Sequence, residues 1–137
     1  MLVGVGTDII EIERIKKACV NSRFLERVFT VKEREYCFSL KNPYPSLAAR
    51  FAAKEAVLKA LETGLSGCSF KDVEIIKEAD TGKPIVKLSG GAKKVAKEKL
   101  IENIMISISH NKTHAIAFAV AQTKSTLQKL DLSTIKK

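Results

Sequence analysis

Residues 2–12 alternate with the period of two that a strand needs. Val3, Val5, Thr7 and Ile9 fall on one face, and Leu2, Gly4, Gly6, Asp8 and Ile10 on the other. From Glu13 to Val28 the pattern turns helical. Thr30 followed by Glu33 has the spacing of a capping box and predicts a short helix to about Leu40. The stretch KNPYPS at 41–46 holds two prolines and breaks the chain. A long helix is predicted from Ser46 to Thr63, stopping at Gly64. Residues 70–80 and 83–88 read as two strands joined by the Asp80-Thr81-Gly82 turn. Gly90–Leu100 reads as a helix with a basic face of Lys93, Lys94, Lys97 and Lys99. Asn103–Ser109 and His114–Thr123 form a second strand pair around His110-Asn111-Lys112-Thr113. The last fourteen residues are polar with scattered Leu and Ile, and read as a frayed tail or as a helix docking on a neighbour. The order β-α-α-α-β-β-α-β-β predicts an α+β fold, a mainly antiparallel sheet packed on a long Ala-rich helix. One domain over 1–123 and a tail over 124–137 are expected.

Length and composition narrow the class without choosing a function. A chain of 137 residues is a one-domain length, and it buries roughly two-thirds of its unfolded surface. With 45% hydrophobic and 28% charged residues, intrinsic disorder is excluded for most of it. The net charge of +9 favours an anionic ligand or partner. It is spread evenly: residues 1–50 carry 9 basic and 6 acidic groups, residues 51–123 carry 11 and 8, and residues 124–137 carry 4 and 1. Cys19, Cys37 and Cys68 are widely spaced with no C-x-x-C, which excludes a disulfide framework and a thiolate zinc site and fits a reducing compartment. The opening MLVGVGTDIIEIERI is no signal peptide, and no apolar run approaches the ~20 residues of a membrane span. A soluble, cytoplasmic domain is expected.

Asp8 shares a predicted strand face with Leu2 and Ile10. Burying even a neutral polar group there without partners costs roughly 2–7 kcal/mol, so a cation or strong donors must offset its charge. Capping of the following helix is the competing reading. Gly4 and Gly6 on that face let something approach the backbone closely. The segment LAARFAAKEAVLKAL at 47–61 has eleven apolar residues in fifteen, six of them alanine, so its helix is buried over most of its circumference. Arg50, Lys54, Glu55 and Lys59 interrupt it, with Glu55 and Lys59 on one face a turn apart. An ordinary helix ion pair, about 0.3–0.5 kcal/mol, is the bland account of those two. In SISHN at 107–111, Ser107 and Ser109 share a face that ends at the His110 turn. Ser109 and His110 point apart, which argues against a nucleophile pair. His110 is either a turn residue satisfied by backbone or a donor to an anionic ligand. Two carboxylates, a lysine and a basic surround suit Mg²⁺ with substrate phosphates, and no P-loop is present.

Three segments in order, GVGTDIIEIERI at 4–15, RFAAKEAVLKAL at 50–61 and ISISHNKTHAIAFAV at 106–120, with TGKP at 81–84 between, resemble the holo-[acyl-carrier-protein] synthase family, the small phosphopantetheinyl transferases. The resemblance covers roughly residues 1–121 and implies a 4′-phosphopantetheinyl transferase-like fold. It implies transfer of 4′-phosphopantetheine from coenzyme A to a serine of apo acyl carrier protein, leaving adenosine 3′,5′-bisphosphate. By the same resemblance Asp8 and Glu55 hold Mg²⁺, and Lys59 touches the phosphate bridge. Arg50, Lys83 and His110 line the coenzyme A site. Arg14, Arg23 and Arg27, with Phe24 as an apolar anchor, meet the acidic carrier protein. Glu55 or a metal-bound water would take the serine proton. Where larger relatives place an acidic group two residues after the metal aspartate, this chain has Ile10. Single-unit members assemble as trimers with active sites at subunit interfaces, so a homotrimer is implied.

Two other classes compete. A small basic RNA-binding domain fits the charge, but aromatics are only 6% of the chain and base-stacking platforms need exposed ones. A non-catalytic trimeric interaction module would explain the buried helix but not Asp8 and Glu55.

Overall fold

The structure, a computed structural model, describes residues 2–123, and the proposed tail lies outside the described residues. Strands β1 (Leu2–Glu11), β4 (Ile101–His110) and β5 (His114–Thr123) form an antiparallel sheet in the order β1-β5-β4. Strands β2 (Val73–Lys77) and β3 (Pro84–Leu88) pair as a separate hairpin. Helices α1 (Ile12–Ala18), α2 (Ser22–Val28) and α3 (Val31–Phe38) lead into α4 (Tyr44–Ala60), and α5 (Gly90–Glu98) precedes β4. This is the expected α+β fold with antiparallel sheets.

The core exists because one sheet face and one helix are both built from small residues. Ala117, Ala119 and Ala121 of β5 are buried in one cluster with Ala52, Ala53, Ala56 and Ala60 of α4, and Ala115 in a second with Leu47, Ala48 and Ala49. The group that approaches the β1 glycines is therefore α4 itself. A Cβ on Gly6 would lie 1.9 Å from the Ala56 carbonyl oxygen, and one on Gly4 would lie 2.0 Å from that of Ala60. Backbone is the obstacle at both positions, so a side-chain rotation relieves neither. Gly6→Ala is expected to destabilise the fold by about 3 kcal/mol or more, read as a fall in the urea midpoint.

Several element boundaries differ from the sequence expectation: the long helix ends at Ala60 rather than Thr63, β2 at Lys77 rather than residue 80, and three further differences have a clear physical reason. The helix expected over 13–28 is two helices, because the chain turns at Cys19-Val20 and the Asn21 side chain accepts the Arg23 N–H at 2.9 Å to start α2. The strand expected from residue 70 begins at Val73. Phe70–Asp72 is a 3₁₀ turn, held by Asp72 accepting from Ser69 N and Ser69 Oγ, both at 3.0 Å. Helix α4 starts at Tyr44 rather than Ser46, since a proline in the first turn removes only a donor that has no partner there.

A buried ion pair joins the hairpin to the helices. Lys54 on α4 and Glu33 on α3 meet at 2.7 Å, and their side chains are 0% and 1% exposed. Lys54 Nζ also donates to the carbonyls of Phe70 at 3.1 Å and Val73 at 2.5 Å. The Glu33 carboxylate accepts the N–H groups of Thr30 and Ile75, each at 2.9 Å. Burial pulls the Lys54 ammonium below the usual lysine range, and Glu33 opposes that pull.

Candidate active site

Asp8 lies mid-strand, paired with Ala117 of β5, and the N-cap of α1 is Glu11. The capping alternative for Asp8 is thereby excluded. Its carboxylate sits at the edge between β1 and α4, 18% exposed. Lys59 reaches it from the last turn of α4: its Nζ donates to the Thr7 carbonyl at 2.8 Å and lies 3.4 Å from Asp8 Oδ1. Among the described ion pairs, Lys59 is thus joined to Asp8 rather than to Glu55.

Glu55 stands one turn before Lys59 and half-buried. Burial raises its pKa above the ordinary glutamate value, the nearby Asp8 charge raises it further, and Lys59 acts the other way. Two carboxylates close enough to repel, with one lysine beside them, leave net negative charge that a cation would relieve. No cluster of three or more His, Cys, Asp or Glu side chains occurs among the described residues. A hard divalent ion that keeps several waters, Mg²⁺ in particular, fits such a two-oxygen site; zinc does not.

The remaining predicted residues lie elsewhere. Arg50 and His110 line a second region, a cleft of about 470 Å³ between α3, α4 and the β2–β3 hairpin. Gly82 and Pro84 line it too, with the exposed Lys83 between them at the hairpin tip. On α4 the five-residue step from Arg50 to Glu55 turns the chain by about 140°, so the two groups point apart around the helix. Arg14, Arg23 and Arg27 are exposed on α1 and α2. Phe24 is half-buried and packs on Phe29 at 6.2 Å and Phe51 at 6.1 Å, ring centre to ring centre. Phe24 and Arg27 share a mostly apolar cleft of about 500 Å³ with Phe51 and Phe70. Ser107 and Ser109 face outward on the sheet surface away from α4.

Sequence reasoning missed Tyr36 and the Glu33–Lys54 pair. The pair's partners are 21 positions apart, beyond any helical spacing, and Glu33 was already accounted for by its capping box. Tyr36 carries no local signal, since its importance comes from what packs on it.

The 4′-phosphopantetheinyl transferase superfamily model matches residues 4–119. A holo-[acyl-carrier-protein] synthase of Thermoanaerobacter sp. (strain X514) is 50% identical over 135 residues, covering 98% of this chain and 97% of its own. The crystal structure of holo-[acyl-carrier-protein] synthase from Neisseria meningitidis superposes with a TM-score of 0.81 at 33% identity, over 90% of this chain and 100% of that one. The Bacillus anthracis enzyme, solved in complex with CoA (3′,5′-ADP), gives 0.76 at 38% identity, over 90% and 99%. The match takes in β1, α4 and nearly all of the β4–β5 hairpin, and this chain belongs to the 4′-phosphopantetheinyl transferase superfamily, among the holo-[acyl-carrier-protein] synthases.

Proposed function

We propose that this transferase moves 4′-phosphopantetheine from coenzyme A to a serine hydroxyl of apo acyl carrier protein, in a Mg²⁺-dependent reaction that releases adenosine 3′,5′-bisphosphate. The observation that carries the metal and catalytic assignments is the meeting of Asp8, Glu55 and Lys59 at the β1–α4 edge. Asp8 and Glu55 are the residues that would hold Mg²⁺, which when bound supplies charge neutralisation at the diphosphate. The serine Oγ forms a bond to the phosphorus carrying pantetheine, and the bond from that phosphorus to the oxygen of the adenosine phosphate breaks. Lys59 places a positive charge beside the oxygen that gains charge as this happens. Glu55, half-buried at the same edge, is the residue that would take the serine proton. The decisive assay incubates the protein with coenzyme A, Mg²⁺ and apo carrier protein. Mass spectrometry should then find one added phosphopantetheine, and an unmodified carrier would refute the assignment.

The nucleotide half of coenzyme A would occupy the cleft of Arg50 and His110, with Lys83 at its rim, and the carrier protein would meet Arg14, Arg23, Arg27 and Phe24. Reversing Arg14 and Arg23 to Glu is expected to raise KM for the carrier far more than for coenzyme A, with a salt dependence that weakens in the variant. Equal changes for both substrates would contradict this surface.

We also propose a homotrimer. Val5, Ile9, Met105, Ile116 and Phe118 leave the outer sheet face apolar, each between 45% and 61% exposed. An apolar patch of neighbouring strands fits contact with a second copy. A neighbouring copy would also bring an Arg50 cleft to the Asp8–Glu55 edge, which one chain does not do. Phe118→Glu is expected to shift sedimentation from trimer to monomer and to lower activity with it. Residues 1–123 would form the single transferase domain. Among the described residues no helix is long and apolar enough to cross a membrane, and the three cysteines are free, which accords with a cytoplasmic site of action. Nucleic acid has no part in this reading.

A further inference from the structure

Arg50 is only 9% exposed, yet no carboxylate pairs with it among the described residues. Its Nη1 donates to Ser46 Oγ at 2.6 Å, and its buried Nε has no acceptor. The guanidinium carbon lies 4.8 Å from the centre of the Tyr36 ring, and Lys77 Nζ lies 5.9 Å from the same ring. Tyr36, Arg50, Lys77 and His110 all border the 470 Å³ cleft, which no Asp or Glu lines. A buried cation without a paired counter-charge is unfavourable unless something stabilises it. Glu33 and Glu78 border the adjoining cleft of about 240 Å³ that Arg50 and Tyr36 also line, without forming an ion pair with Arg50. The guanidinium's own contacts are a neutral hydroxyl and an aromatic face. These two hold the guanidinium in place without neutralising it, so its charge stays available at the cleft.

We propose that Tyr36 is a positioning residue for Arg50: its ring holds the guanidinium in the orientation that binds a phosphate group of the coenzyme A nucleotide. The proposal rests on the assignment of this cleft to that nucleotide. Tyr36 acts through its face, not its hydroxyl, so Phe can replace it while an aliphatic side chain cannot.

The test uses the intact protein, with adenosine 3′,5′-bisphosphate as the calorimetric probe and steady-state kinetics for both substrates. Tyr36→Leu, and Tyr36→Met as a longer, unbranched second variant, are expected to weaken nucleotide binding and raise KM for coenzyme A by on the order of tenfold. KM for the carrier and kcat should stay within about twofold of the parent, and Tyr36→Phe should bind as the parent does. Arg50→Met should lose more than Tyr36→Leu, and adding Tyr36→Leu to Arg50→Met should cost nothing further. Parent-like binding by Arg50→Met would overturn the cleft assignment and this proposal together. Loss in Arg50→Met with parent-like binding in Tyr36→Leu and Tyr36→Met would overturn the positioning role alone. Additive losses in the double variant, or an equal loss in Tyr36→Phe, would overturn it too.

Discussion

Glu55→Gln and Asp8→Asn are each expected to reduce phosphopantetheine transfer by roughly 10²–10⁴-fold while leaving the fold as stable as the parent or slightly more so. The two effects oppose because these carboxylates repel. Glu55 has a folded-state pKa raised by burial and by Asp8. A carboxylate shifted upward favours the folded state below its unfolded pKa, and loses that contribution as pH rises through the folded value. At neutral pH the ionised Glu55 therefore weakens the fold, and a neutral glutamine of the same shape removes that penalty. The same shift sets a pH dependence. As pH falls through the raised pKa, Glu55 takes up a proton and the site loses the charge it would present to a cation. The Mg²⁺ concentration needed for half-maximal transfer should accordingly rise as pH falls through that raised value, and this dependence should be absent from the residual activity of Glu55→Gln. Rate profiles and thermal melts on the same samples check both halves. A variant that lost activity only because it unfolded would fail the melt comparison.

Lys54→Met is expected to show the reverse pattern, a large loss of stability with no chemistry of its own. Removing the ammonium leaves the Glu33 carboxylate without its counter-charge at 1% exposure, and strands the Phe70 and Val73 carbonyls. Breaking a buried pair from one side costs about 3–5 kcal/mol. For a domain of this size that is a fall in Tm of about 10–20 °C. Burial already holds the Lys54 pKa low, but an aliphatic side chain relieves that penalty without satisfying Glu33. The neighbours Lys54 and Glu55 thus divide the labour on α4: one faces inward and fixes the hairpin, the other faces the β1 edge. Differential scanning calorimetry of the two single variants separates them, since only Lys54→Met should move Tm down sharply.

What was legible in the sequence followed from local periodicity and burial cost. The alternation over 2–12 put Gly4, Gly6, Asp8 and Ile10 on one face, and Gly4 and Gly6 do pack on α4. The alanine-rich run gave the buried helix, and the Thr30–Glu33 capping box is present in full. The break at Cys19-Val20 was hidden because residues on both sides keep helical spacing; only the Asn21 cap marks it. The approach to the glycines was foreseen, but its agent was not, because helix-on-strand contact is a tertiary fact. Lys54 read as one more charge on a helix, since its partner Glu33 lies on another element. Tyr36 was overlooked for the same reason: an aromatic in a short helix gives no hint that a guanidinium will pack on its ring.

On the proposed function, Asp8 and Glu55, distant in sequence, together hold the divalent ion on which transfer depends. Crystals of the intact protein grown with coenzyme A and Mn²⁺ in place of Mg²⁺ address it directly, through the anomalous signal of the metal. The expected map has one strong peak within coordination distance of both carboxylates, absent from crystals of Glu55→Gln. Density for coenzyme A with no peak at those two side chains, or an undiminished peak in the Glu55→Gln crystals, would contradict it.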